Sequence, residues 1–359
     1  MKSCYKLGEL IRNVDVKNKD LHCNNLRGLS MTKEFRPSTS NIVGTDLSKY
    51  KIVAQKQFAC DFMSTIRVHK MPIAFNTGKE EILVSPAYAV FEVVDEKIIL
   101  PEYLMMWFSR TEFDRYADFR SDAAIRGGFG WNELCETSIS IPCITDQYKI
   151  VFEYQAITER IALKQKINDN LEAQAEAIYN EMIANNSTNG TMSTLGEIST
   201  IKTGKLNSEA AVINGIYPFF TCSQETYRTN TFSFDQEAVL LAGNNASAIY
   251  PLKIYCGKFD VYQRTYVISS NNRFVSNKQL YFVLKQQLNE FKGISSGTTT
   301  KFLTMKILTP IPVVIAPEDI ATSFINITNK IFETIFQNQR EIEHLRELQM
   351  IVLGELSRD

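Results

Sequence analysis

Two long stretches of this 359-residue chain place apolar residues alternately three and four positions apart. The first carries Ile150, Tyr154, Ile157 and Ile161, then Leu171, Ala175, Ile178 and Met182. The second carries Ile320, Phe324, Ile327 and Ile331, then Leu345, Leu348, Val352 and Leu356. That spacing predicts two amphipathic helices with a coiled-coil seam. Thr145-Asp146 suits the cap of the first, and Pro317-Glu318-Asp319 the first turn of the second. The polar run from Asn185 to Gly190 ends the first helix and links it onward. Roughly 40 residues at 1.5 Å each make a helix about 60 Å long. Such a helix cannot bury its stripe alone, so the two are expected to pack on each other as an antiparallel coiled coil. Asn168 and Asn338 fall within them, either as a polar layer that fixes register or as two exposed asparagines.

The segments before each helix read as mixed α and β. IVAQKQF and ILVSPAYAVFEVV in the first, and EAVLLAG, KIYCG and RTYVIS in the second, have the β-branched and aromatic content of strands. Pro101-Glu102-Tyr103 opens a helix in the first segment, and Ser276 with Gln279 three positions on opens one in the second. The two segments also match in order. Leu7-Gly8-Glu9-Leu10 recurs at Leu195-Gly196-Glu197-Ile198, an offset of 188. Tyr88 aligns with Tyr266 at 178, Leu104 with Leu280 at 176, and Ile141 with Ile311 at 170. At that last offset Ile150, Tyr154, Ile157 and Ile161 fall on Ile320, Phe324, Ile327 and Ile331, although the helix ends align better at 174. The chain therefore reads as a duplication, α+β in class. Its parts are a first domain (1–144), a central helix and linker (145–190), a second domain (191–316) and a C-terminal helix (317–359).

Charge sharpens this division. The net charge is −1, but the four segments carry +1, −3, +5 and −4 in chain order. Positive charge gathers in the second domain, which is where contact with a polyanion is expected. Forty-four per cent apolar and 22% charged residues fit a globular protein rather than a disordered or membrane one. The N-terminus lacks the apolar core of a signal peptide, so a cytoplasmic location is expected. Seven scattered cysteines without a CxxC pair and only three histidines argue for reduced thiols and against a metal site. Signatures of chemistry are absent too. STIKTGK has Ser199 where a phosphate loop needs its first glycine. No Asn-Pro-Pro-Tyr or Asp-Pro-Pro-Tyr string and no GxSxG elbow occur. No catalytic residue is expected.

Several stretches carry a resemblance. In the second domain, Lys202-Thr203-Gly204-Lys205 follows LGEI; Tyr217 to Ser223 reads YPFFTCS; Leu241 to Ser247 reads LAGNNAS; Gly257 to Tyr266 reads GKFDVYQRTY; and Gly297 to Phe302 reads GTTTKF. In the first domain, Gly44 to Val53 reads GTDLSKYKIV and Ser85 to Tyr88 reads SPAY. Together with the alternation of domain and long helix, these resemble the specificity subunits of type I restriction-modification systems. Asn245 stands where that family often has glycine, and the chain is somewhat short for it. The resemblance implies two target recognition domains that read the halves of a split, asymmetric DNA site. It implies a subunit without chemistry or cofactor of its own. Two methyltransferase subunits would dock on it and use S-adenosylmethionine, and restriction subunits would use ATP.

Sequence would be read through amide, guanidinium and hydroxyl groups on base edges, with lysine and arginine holding phosphates. On residue type and loop placement the expected contacts in the second domain are Lys205, Ser223, Gln224, Asn244, Asn245, Arg264 and Lys301, with Gly243 allowing close backbone approach. In the first domain they are Arg36, Lys49, Arg67, Lys70 and Arg126. Half-sites read on one face of B-DNA lie about one helical turn apart. Helices of ~60 Å would cap the span at under about 18 bp at 3.4 Å per step. The residue pattern without the resemblance also fits a coiled-coil scaffold with protein-binding ends, a reading that the near-neutral first domain favours.

Overall fold

A computed structural model describes residues 2–38, 44–122, 129–186, 189–245, 249–294 and 301–356. The chain forms two compact units, one of residues 1–161 with 344–359 and one of residues 162–343. The long helices Ile144–Asn186 and Glu318–Glu355 each give part of their length to each unit.

The first unit is built on a four-stranded antiparallel sheet in the order Ile11–Val14, Ala89–Val93, Gln57–Cys60, Ile73–Phe75. Turns break the strand-like runs of the sequence. Ala54-Gln55-Lys56, with Lys56 at φ 64°, separates Lys51–Val53 from Gln57–Cys60. Ser85–Tyr88 separates Ile82–Val84 from Ala89–Val93. Helix Pro101–Phe108, with proline in its first turn, buries Tyr103, Leu104 and Phe108. Phe58 stacks on Phe91 at 4.9 Å, and Phe108 meets both edge-on. Ile150 and Tyr154 from one long helix and Val352, Leu353 and Leu356 from the other join this core. Gln349 Nε2 donates to Thr158 Oγ1 at 2.7 Å. Low numbers thus meet high ones, and within this unit the helices run antiparallel.

The second unit holds a six-stranded sheet, Ser199–Thr203, Thr265–Ser270, Phe234–Ala242, Leu252–Val261, Tyr217–Phe220, Thr226–Thr229. Its neighbours are antiparallel except Tyr217–Phe220 beside Leu252–Val261. Helix Asn277–Ile294 packs Leu280, Phe282, Leu284 and Phe291 into a core shared with Val239, Leu241 and Ile268. Ser276 Oγ accepts from Gln279 N at its start, as the sequence suggests. Tyr179 of the first long helix faces Phe324 of the second, with ring centroids 6.3 Å apart. Asn338 Nδ2 donates to Asn168 Oδ1 at 2.8 Å. Here too the helices are antiparallel, and of the two readings of the asparagines the polar layer is the one found.

The duplication is visible in backbone pairing, which corrects two of the four offsets. Ser3–Lys6 pairs with Ser138–Ile141, and Thr191–Thr194 pairs with Pro312–Ile315. Ser3 opposes Ile141 and Thr191 opposes Ile315, so the back of the repeat is offset by 174 rather than 170. The helix starts, Ile144 and Glu318, also differ by 174. Ile11 opposes Val93 and Ser199 opposes Ser270, so the strand containing Tyr266 aligns at 177 rather than 178. The front offset of 188 and the helix offset of 176 stand.

The seam needs two corrections, and the first is Leu348, which is 48% exposed. Phe324 is buried, and Ile320 and Ile331 are partly buried, but Ile327 is 43% exposed. Thr328 takes its place, fully buried, because its hydroxyl donates to Phe324 O at 2.8 Å and so needs no outside partner. In the other helix Ile161 is buried, Ile150 and Tyr154 are partly buried against the first core, and Ile157 is half-buried.

Candidate nucleic-acid interface

In the second unit the turn Tyr262–Arg264 gathers loops from four places in the sequence. Leu206 bridges to Tyr262, and Gln263 N donates to Leu206 O at 3.0 Å. Tyr262 N donates to Phe220 O at 2.9 Å. Cys222 Sγ donates to Arg264 O at 3.4 Å. Gly243 N donates to Arg264 O at 2.8 Å, and Gly243 O accepts from Leu303 N at 2.9 Å. Arg264 itself is exposed, with its guanidinium 5.1 Å from the centre of the Phe302 ring. Lys205, Ser223 and Gln224 lie on loops joined in this way, and Asn244 and Asn245 form a short strand just after Gly243.

Two glycines make the junction possible. A Cβ on Gly204 would stand 1.8 Å from Val261 O, and one on Gly243 would stand 2.5 Å from Arg264 O. Gly243 thus serves the approach of one protein strand to another, which differs from the expected approach to a ligand. Lys253, which the sequence did not single out, donates to Gln224 O at 2.7 Å and Thr226 Oγ1 at 2.9 Å and holds the turn that carries Gln224. Burial lowers its pKa from the ordinary lysine value.

The candidates divide by what they already bond. Ser223 Oγ accepts from Glu225 N at 3.2 Å, and Asn245 Oδ1 accepts from Ile249 N at 3.3 Å, so both shape their own loops. Asn244 Oδ1 is buried and has no hydrogen-bond partner among the described residues. Gln224, Lys205 and Arg264 are exposed. The short strand Lys301–Phe302 pairs Lys301 with Asn245, while the side chain of Lys301 lies outside the described residues.

In the first unit Arg36 lies on the hairpin Arg27–Leu29/Phe35–Pro37, its Nε donating to Leu29 O at 3.1 Å. Lys49 is exposed and pairs with Asp46 at 3.5 Å. Lys70 is exposed and follows His69, whose ring lies 3.0 Å from Asp118 of the helix Thr111–Asp122. The side chain of Arg67 and all of Arg126 lie outside the described residues. Among the described residues no group of three or more His, Cys, Asp or Glu side chains could hold a metal ion. No helix among them is long and apolar enough to cross a membrane.

The junction coincides with a known domain. Residues 189–351 match the type I restriction modification DNA specificity domain. That stretch of the chain is similar to the family's domain. A stretch of 119 residues is 39% identical to the type I restriction enzyme EcoDI specificity subunit of Escherichia coli, covering 33% of this chain and 26% of that relative. The matched stretch thus spans about a quarter of the curated relative's length. The type I restriction-modification system S subunit from M. genitalium superposes with a TM-score of 0.57 at 12% identity, over 100% of this chain and 96% of that one. That likeness is one of fold. The same mixed architecture with long helices is present here.

Proposed function

We propose that this chain is the DNA-sequence-recognition subunit of a type I restriction-modification complex, with each unit reading one half of a split, asymmetric target. The observation that carries this reading is the junction at Tyr262–Arg264. Inside the matched domain it brings Lys205, Gln224, Asn244 and Arg264 onto segments fastened to one another. Such a cluster of donors on a rigid sheet suits base edges and phosphates, and it contains no nucleophile paired with a base. The subunit itself is non-catalytic and uses no cofactor. Methyltransferase subunits dock on it and supply S-adenosylmethionine chemistry to adenine, restriction subunits supply ATP-driven cleavage, and the complex works in the cytoplasm.

The test is an exchange of residues 191–316 for the corresponding domain of another such subunit, followed by sequencing of methylated DNA from cells carrying the complex. One half of the target should change and the other stay. A change in both halves, or in neither, overturns the two-reader assignment. Within the wild-type frame, Gln224→Ala should alter base preference, whereas charge reversal at Lys301 should weaken all sequences alike.

A further inference from the structure

One buried carboxylate in the first unit ties together two segments that lie far apart in sequence. Asp114, on helix Thr111–Asp122, is 8% exposed. Its Oδ1 accepts from Lys33 Nζ at 2.7 Å and from Met71 N at 3.2 Å. Lys33 stands in the turn of the hairpin Arg27–Leu29/Phe35–Pro37, which carries Arg36. Met71 follows Lys70 and the short helix Thr65–Val68, which carries Arg67. One turn further along the same helix, Asp118 takes the His69 ring at 3.0 Å. Arg36, Arg67 and Lys70 therefore lie on two segments that this helix holds.

The tie at Lys33 is closely built. Lys33 is itself buried, and its Nζ also donates to Phe108 O at 2.5 Å and lies 5.4 Å from the centre of the Phe113 ring. Its φ is 62°, a left-handed conformation that a residue other than glycine keeps only where its surroundings impose it. Lys33 N donates to Ser30 O at 3.2 Å, Ser30 N to Glu34 O at 2.9 Å and Glu34 N to Ser30 Oγ at 3.0 Å. Among the described residues the two hairpin strands form a sheet with each other alone. A bridge from Leu26 to Leu83 ties their base to the ladder in which Lys51 opposes Val84. Lys33 is the tether at the other end. Burial pulls its pKa below the ordinary lysine value, Asp114 draws it back up, and the charge of Lys70 nearby pushes it down.

We infer that Asp114 and Lys33 are positioning residues for DNA reading by the first unit. Both are buried too deeply to reach a base or a phosphate, and they act by setting the hairpin and the segment before Met71 at a fixed spacing. The inference rests on the proposed DNA reading. A buried ammonium is costly, and apolar packing at the turn would hold the hairpin as firmly. What the pair adds is register. One oxygen bonded from both segments fixes where they stand, whereas apolar contacts let them slide.

The experiment uses the full chain and the target found by sequencing methylated DNA. Affinity is measured for the intact target, for a duplex with the first unit's half scrambled and for one with the second unit's half scrambled. The domain exchange described above tells which half is which. Lys33→Met combined with Asp114→Asn removes both charges together, so no buried charge is left alone, and the amide at 114 can still accept from Met71 N. In this variant the preference for the intact target over the first scrambled duplex should fall by about tenfold, roughly one base pair's worth of discrimination. The preference over the second scrambled duplex should stay as in the wild type, an outcome that a role in stability alone would not produce. A folded variant that keeps both preferences overturns the inference, and so does one that loses both together. A wild type that prefers its target over neither scrambled duplex overturns the DNA reading itself. If the double variant does not fold, amide exchange in the wild type decides. The target duplex should slow the Lys33 and Met71 amides together, and a duplex that leaves either unchanged overturns the inference.

Discussion

Asn338 donates a 2.8 Å hydrogen bond to Asn168 across the two long helices, and Lys164 completes the layer. Lys164 Nζ donates to Asn338 Oδ1 at 3.0 Å and pairs with Glu341 at 2.8 Å. Asn338 is only 8% exposed, so these bonds form where water has little access. Removing one partner leaves the others unsatisfied. Asn338→Ala should cost about 1–3 kcal/mol in urea denaturation of the full chain. Replacing both asparagines by leucine should be neutral or stabilising, because neither amide is left without its partner and Lys164 keeps its pair with Glu341. If the single and double variants lose the same stability, the layer does not act as a unit.

The seam yields a contrast between neighbours. Phe332 is 1% exposed and touches Phe282 and Tyr281 edge-on, whereas Ile327 is 43% exposed. Phe332→Ala should cost about 3–5 kcal/mol. Ile327→Ala should stay within about 1 kcal/mol, as surface changes do. Urea midpoints of the two variants decide this. A large loss at Ile327 would place it back in the seam.

These helices show what the sequence could and could not convey. Their existence and length were legible, because alternating three- and four-residue spacing over so many turns has no other cheap explanation. Their repeat register was not. Sliding one helix by four residues turns it by about 40° beyond a full circle, so nearly the same face returns and the apolar pattern still overlaps itself. The strand pairing of Ser3 with Ile141 and Thr191 with Ile315, together with the helix starts at Ile144 and Glu318, separates 174 from 170. Thr328 was invisible as a seam residue because its polarity is cancelled by a bond within its own helix. At the candidate interface, residue type and loop placement pick out Arg264 and Gln224, and both are exposed. They do not pick out Lys253, whose bonds to Gln224 O and Thr226 Oγ1 span more than 25 residues of sequence.

Gly204 offers a test of how tightly the junction is built. An added methyl there would stand 1.8 Å from Val261 O and 2.5 Å from Val261 C, both backbone atoms of a strand paired on its two sides. The strand cannot yield as a flexible side chain would. Gly204→Ala should therefore destabilise the second unit by at least about 1–3 kcal/mol. On the proposed reading it should also relax discrimination in the corresponding half of the target before it affects the other. Hydrogen exchange at Leu206, Tyr262 and Gln263 is the direct measurement. Unchanged protection there would mean that the junction tolerates the extra atom and is looser than its hydrogen bonds indicate.

His22 should report on the loop beside the first unit's ladder. Its ring lies 2.6 Å from Asp20 and 2.7 Å from Glu81, and these bonds, Asp20's first and Glu81's next, raise its pKa above the ordinary 6.5. A raised histidine pKa means that the folded state holds the proton more firmly than the unfolded chain does. The clasp is therefore fully formed below pH 6.5 and is lost as pH rises through the raised value. A proton NMR titration should place His22 above 6.5, and Glu81→Gln should bring it down. The exposed ring makes this a local effect, so the melting temperature of the unit should hardly follow it. A His22 that titrates at or below 6.5 in the wild type would show that the two carboxylates do not close on it in solution.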